Sequence, residues 1–134
     1  MTLPDSISLI VPGRVDFIGD EAMWVNSTYF LQVALNDGAT PTPADHDLTP
    51  YVEFAAWVKK SPDDADADAV AIGTFVVESA VDGEGYVRYE AEDLTQEHVG
   101  QLWHSLHGRT ASGIWLPLMW GLAELKPMAG NPLA

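Results

Sequence analysis

The chain has 134 residues, about the size of one domain, and its 47% hydrophobic residues, with five Trp, four Tyr and four Phe, are enough to build a core. Asp and Glu number 20 against 6 Lys and Arg, so the formal charge is −14 although only 19% of residues are charged; the acidity comes from missing cations. Such a surface repels phosphate backbones and anionic headgroups, which argues against direct nucleic-acid or membrane binding, and the absence of cysteine excludes disulfides, thiolate metal sites and thiol nucleophiles.

The first residues, Met1-Thr2-Leu3-Pro4-Asp5, lack a basic region followed by an apolar core. The longest apolar run, residues 114–125, is shorter than the roughly 18 residues of a membrane span and contains Pro117. A soluble protein without a conventional export signal is expected. Its organisation reads as an N-terminal arm or first strands over residues 1–19, one β-domain over 20–127 and a C-terminal tail over 128–134.

Residues 6–11 and 15–18 are short apolar runs ended by Pro12-Gly13 and Gly19-Asp20, which predicts two brief strands around a turn. From Thr28 the chain alternates strictly. Tyr29, Leu31, Val33 and Leu35 fall on one face and Phe30, Gln32 and Ala34 on the other, the period of a strand. Asn36-Asp37-Gly38 is a turn signal, and residues 40–47, with Pro41 and Pro43, read as a loop. Residues 51–60 are ambiguous, because Thr49-Pro50 can start a helix while Val52, Phe54, Ala56 and Val58 alternate with Glu53, Trp57 and Lys59 outward. The strand is favoured because its neighbours are strands.

Residues 61–69, SPDDADADA, predict a solvated acidic loop. Residues 70–78 and 86–90 then flank Asp82-Gly83-Glu84-Gly85 as a hairpin, with Val87 and Tyr89 on one face. Thr95 is placed to cap a short helical turn within residues 94–100. Beyond it, Val99, Leu102, Trp103 and Leu106 fit helical spacing, whereas Leu102, His104 and Leu106 alternate; both readings stay open. Residues 114–125 are apolar on both faces and read as a buried or partner-covered strand, bent or at an edge because of Pro117. About seven strands separated by turns are the pattern of an all-β immunoglobulin-like sandwich with one short helix.

Candidate chemistry is sparse. Asp64, Asp66 and Asp68 alternate like the first ligands of a calcium loop, but Ala69 stands where that loop needs glycine and Phe75 where it needs glutamate. Asp45-His46-Asp47 suits an Asx-stabilised turn better than a cation site. His104 and His107 would be neighbours on a helix but point to opposite faces of a strand, and with His98 they lack a clear further zinc ligand. Neither a nucleophile elbow nor a phosphate loop occurs. No catalytic residue, metal or cofactor is expected. The five tryptophans, Trp24, Trp57, Trp103, Trp115 and Trp120, exceed what one small core needs and suggest a protein interface, with Trp115, Met119, Trp120, Trp57, Leu9 and Val11 as its candidates.

The order of short motifs carries a resemblance. Tyr29-Phe30-Leu31-Gln32-Val33, Asn36-Asp37-Gly38, Asp47-Leu48-Thr49-Pro50-Tyr51, Trp57-Val58-Lys59-Lys60-Ser61-Pro62, Asp82-Gly83-Glu84-Gly85-Tyr86-Val87-Arg88-Tyr89 and Glu92-Asp93-Leu94-Thr95 follow one another before a last strand that closes at Pro127. Over residues 28–127 this resembles the immunoglobulin-like modules of tailed-phage baseplate and upper-tail structural proteins. It departs from them at Pro50, where the corner more often has glycine, and in lacking their large downstream receptor-binding or fibre-attachment region. The resemblance implies a non-enzymatic bacteriophage structural protein in tail, baseplate, neck or capsid surface, made in the host cytoplasm and residing in the virion. Its partners would be other virion proteins and, given the apolar last strand, further copies of itself.

Two other classes compete. Six acids in residues 82–97, Asp82, Glu84, Glu90, Glu92, Asp93 and Glu97, would suit an acidic DNA mimic that inhibits a host nucleic-acid-binding protein, provided they form two rows. Exposed Trp and Tyr would suit a carbohydrate-binding module.

Overall fold

The computed structural model describes residues 7–38 and 44–127; parts of the expected N-terminal arm and of the 40–47 loop, and the 128–134 tail, lie outside these. The described chain is all-β. Its strands are β1 (Ile7–Ile10), β2 (Gly13–Arg14), β3 (Met23–Trp24), β4 (Tyr29–Asn36), β5 (Tyr51–Lys59), β6 (Ala71–Ser79), β7 (Glu84–Tyr89), β8 (Gly100–Thr110) and β9 (Trp115–Lys126). They form one path, β1-β4-β7-β6-β5-β8-β9-β2, with β3 also on β9. Where the turn signals predict an immunoglobulin-like sandwich of about seven strands, a single nine-stranded sheet curls until its two ends meet in consecutive segments of chain.

The N-terminal segment makes that closure. β1 lies parallel to β4, with Ile7 opposite Val33 and Leu9 opposite Leu35, and after the cis Val11–Pro12 peptide the chain crosses to β9. There Gly13 and Arg14 pair with Met119 and Trp120, and Met23 and Trp24 with Leu125 and Lys126. Between these pairs Val15 N–H donates to the Trp120 carbonyl at 3.0 Å and Phe17 N–H to that of Leu122 at 2.8 Å. The strands expected over 6–11 and 15–18 are therefore not a hairpin. They form a strap whose two halves bond to different strands, occupying edges that would otherwise invite pairing with another chain.

Alternation explains most of the rest. In β4, Leu31, Val33 and Leu35 are buried, and across the antiparallel ladder Val87 and Tyr89 of β7 join them. The β6–β7 hairpin forms as its turn signal predicts. At Gly73 the sheet turns a corner: β6 pairs with β5 through residues 71–73 and with β7 from Thr74 onward. A Cβ at Gly73 would stand 2.6 Å from the Tyr89 ring, so glycine is what lets the fully buried Tyr89 fill the inside of that corner.

The structure resolves three local expectations. The short helical turn expected within 94–100 forms as a single 3-10 turn, Gln96–His98, but Thr95 makes no side-chain cap bond, its hydroxyl instead facing Glu97. Residues 100–110, open between helix and strand, form β8 because Leu102, His104 and Leu106 enter the core in alternation. β9 is apolar on both faces for an internal reason. Leu106 pairs with Met119 but His107 with Pro117, so Leu118 is the extra residue of a bulge, and Leu118 and Met119 are both buried. Pro117 precedes the point where β2 joins β9, so its missing N–H costs no ladder bond.

Lys59, expected to face outward, is buried. Its Nζ donates to the Asp64 carbonyl at 2.8 Å and to Asp66 Oδ1 at 2.7 Å, and lies 4.2 Å from the centre of the Trp57 ring. The acidic loop thus folds back over its own strand, and the Lys59 ammonium holds the Asp66 carboxyl below its ordinary range. Because Asp66 is largely exposed and Lys59 is not, the two ends of the pair are unequal. Lys59→Met, which leaves a carboxylate that water can solvate, should cost under about 1 kcal/mol, whereas Asp66→Ala, which strands a buried ammonium, should cost about 2 kcal/mol. Urea unfolding of both variants checks the order; equal losses would mean that the buried charge is solvated by other means.

A tryptophan face on strands β5, β8 and β9

Outward positions on β8 are Trp103, Ser105, His107 and Arg109, the complement of its buried alternation. The ladders fix their lateral neighbours. Ser105 stands between Trp57 of β5 and Trp120 of β9, His107 between Ala55 and Pro117, and Arg109 between Glu53 and Trp115. Four of the five tryptophans therefore share one side of the sheet.

Ser105 is the short side chain in a row of long ones. With strands about 4.8 Å apart, Trp57 and Trp120 rise from positions about 10 Å apart over a serine floor. The result is a cleft of about 380 Å³ lined chiefly by Trp57, Trp103, Trp120, Ser105, His107 and Pro117. A second hollow of about 310 Å³, lined by Ala55, Trp57, Asp66, His107 and Trp115, adjoins it across Trp57 and His107. Both lie near the lower end of the roughly 300–1,000 Å³ range of small-ligand pockets.

Five of the six cationic side chains sit over aromatic rings. Arg14 is 5.2 Å from the Trp120 ring centre, Arg109 5.9 Å from Trp115, Lys126 5.1 Å from Trp24 and Arg88 5.5 Å from Phe30, alongside Lys59 over Trp57. Four of these also meet a carboxylate: Arg14 with Asp16, Lys59 with Asp66, Arg88 with Glu90 and Arg109 with Glu53. The cations missing from the rest of the surface are concentrated on the aromatic positions, each a favourable contact of about 0.5–1 kcal/mol where exposed. Local charge on the tryptophan face is balanced even though the whole chain is strongly acidic.

The histidines divide by strand parity. His107 lies in the cleft, within 3.2 Å of the Ser105 hydroxyl, and partial burial lowers its pKa, which favours the neutral ring. His104 points inward, stacked on Phe17 with ring centres 3.7 Å apart. Its Nε2–H donates to the Val15 carbonyl, and its Nδ1 is buried without a hydrogen-bond partner. Burial pushes its pKa down to about 4, against the weaker opposing effects of the Val15 bond and the nearby Asp16 carboxylate. His98 sits apart, on the turn before β8 and beside Glu97.

The expected interface residues do not gather in one place. Trp115 and Trp120 are exposed and Trp57 half-buried, all on the tryptophan face. Met119 is in the core because the bulge turns it inward; Leu9 is buried and Val11 half-buried in the part of the strap bonded to β4. Missed in the sequence were Trp103, Ser105 and His107 as parts of one cleft, and Ile114 and Leu116, which flank Trp115. Residues 114–116 form an exposed apolar run at the β8–β9 hairpin, where β9 has not yet met β2. Asp64 and Asp66 hold Lys59, and among the described residues no group of three His, Asp or Glu side chains is arranged to hold a metal ion. The carboxylates of 82–97 fall at opposite ends of β7, with Asp82 and Glu84 at one end and Glu90 to Glu97 beyond the other.

No protein-family model matches the chain, and a search of curated proteins finds no match. No helix among the described residues is long and apolar enough to cross a membrane.

Proposed function

We propose that this chain is a non-enzymatic structural component of a bacteriophage virion, an immunoglobulin-related β-module of the tail, baseplate, neck or capsid surface. It acts through contacts with other virion proteins and with further copies of itself, without a cofactor and without binding nucleic acid or membrane directly. The motif order over residues 28–127 suggests the family. The observation that carries the contact reading is the β8–β9 hairpin, where Ile114, Trp115 and Leu116 stand 56%, 42% and 41% exposed in succession. Exposed apolar residues scattered singly are ordinary, whereas three together on a projecting hairpin beside an open strand edge suit a partner.

The strap supports the same reading from the other side. With β1 on β4 and β2 and β3 on β9, both ends of the sheet are occupied, so lateral strand addition is confined to short stretches such as the start of β9. Assembly by specific side-chain contact is favoured over open-ended sheet growth.

Mass spectrometry of purified tailed particles should find the chain in fixed stoichiometry to the other tail proteins. A paired Ile114→Ser, Leu116→Asp variant should melt within a few degrees of the wild type yet fail to incorporate. Absence of the wild-type chain from every particle would overturn the proposal. Salt-sensitive binding to a basic nuclease or repressor would favour the acidic-mimic reading instead.

A further inference from the structure

We infer that the paired hollows between Trp57 and Trp120 form a binding site for an uncharged saccharide, with one sugar ring on the Ser105 floor and the next beside Asp66. Three features select this chemistry. The walls of the first hollow are indole rings, Trp57, Trp103 and Trp120, which suit the C–H face of a pyranose. The floor and ends carry neutral hydrogen-bonding groups, the Ser105 hydroxyl and the His107 ring, which already lie within reach of each other and can share bonds with ring hydroxyls. The cations bordering the cleft are compensated, Lys59 by Asp66 and Arg14 by Asp16, and each already sits over an indole ring of the site. A cationic ligand would be repelled by Lys59 and Arg14 at the border of the cleft, and an anionic one would meet the field of a −14 protein.

The two hollows share Trp57 and His107, so they are adjoining subsites and not separate pockets. In the second, Asp66 has one carboxylate oxygen committed to Lys59 and is otherwise exposed, free to accept from a sugar hydroxyl, while Trp115 provides another aromatic surface. The arrangement fits a disaccharide or longer neutral glycan lying across β5, β8 and β9. The second hollow shares Trp115 with the proposed assembly contact at residues 114–116, whereas the first hollow, lined by Trp57, Trp103, Trp120, Ser105 and His107, contains none of those three residues.

The purified chain should be applied to an array of neutral hexose and N-acetylhexosamine oligosaccharides together with their sialylated and sulfated counterparts. Binding should be confined to neutral glycans, and titration with the best of them should change tryptophan fluorescence. Trp120→Ala and His107→Ala should each weaken binding at least tenfold, and Val81→Ser, on an exposed turn elsewhere, should leave it unchanged; thermal melts show which variants are folded. Failure of any neutral glycan to bind above the level of folded Trp120→Ala would overturn the inference. So would a preference for charged glycans, or occupation of the cleft by a second copy or a proline-rich peptide with no glycan binding. Incorporation into particles is unaffected by either result, so the two proposals fail separately.

Discussion

Replacing Gly121 with alanine is expected to unseat the N-terminal strap and to lower stability by about 3 kcal/mol or more, at or above the usual upper end for overpacking. A Cβ at this position would lie 2.0 Å from the Val15 carbonyl oxygen and 2.8 Å from Asp16 Oδ1. The first of these is backbone and cannot swing aside. The same few atoms hold the seam together: Val15 N–H on the Trp120 carbonyl, Leu122 N–H on Asp16 Oδ1 at 3.0 Å, and the His104 ring on the Val15 carbonyl. Hydrogen exchange should show the Val15, Phe17 and Leu122 amides losing protection together while β4, β6 and β7 keep theirs. A loss below about 1 kcal/mol with those amides still protected would mean that the strap can shift along β9 at little cost.

Acid should destabilise the protein through His104. Its folded pKa of about 4 lies below the ordinary 6.5, so the unfolded chain takes up this proton more readily than the folded one. The contribution is fully present above pH 6.5 and is lost as the pH falls from there towards 4, about 3 kcal/mol across the window at 1.36 kcal/mol per unit. The physical origin is the buried Nδ1. With Nε2–H committed to the Val15 carbonyl, a proton on Nδ1 would place a cation in the core without a partner. Protonation of surface carboxylates relieves the self-repulsion of the −14 chain over the same range, so the comparison must be with a variant. His104→Gln should lower stability at pH 7.5 and flatten the profile between pH 7 and 4.5. A wild type and variant with parallel profiles would show that His104 is not the group responsible.

What the sequence made legible depended on how local the cause was. β4 and the β6–β7 hairpin were readable because alternation and an Asp-Gly turn act over a few residues. The strap was not, because parallel pairing of Ile7 with Val33 and of Gly13 with Met119 leaves no trace in the strap's own composition. Lys59 was misplaced because its burial depends on Asp64 and Asp66 reaching back from the next loop. Met119 was put on the surface because the bulge at Leu118 reverses the parity of β9. The cleft was hidden for a related reason: tryptophans 57, 103 and 120 become neighbours only once the β5–β8 and β8–β9 registers are known, and Ser105 matters for being small between them. A signal was present in the few cations, since Lys59 and Arg109 each lie within a few residues of an aromatic in sequence or across a hairpin.

Closure by a segment made well before β9 also constrains the order of events on the ribosome. β1 and β2 leave the exit tunnel early, but β2 and β3 must wait for β9, roughly a hundred residues later, before their hydrogen bonds can form. Until then β8 presents an open side, the condition in which nascent β-chains associate wrongly. Neighbouring chains emerging from one polysome would carry the acidic 61–69 and 82–97 stretches before β9 exists, and like charge would hold those unfinished sheets apart. The acidity that looks like a property of the finished surface would then act earliest as a chaperone encoded in the chain.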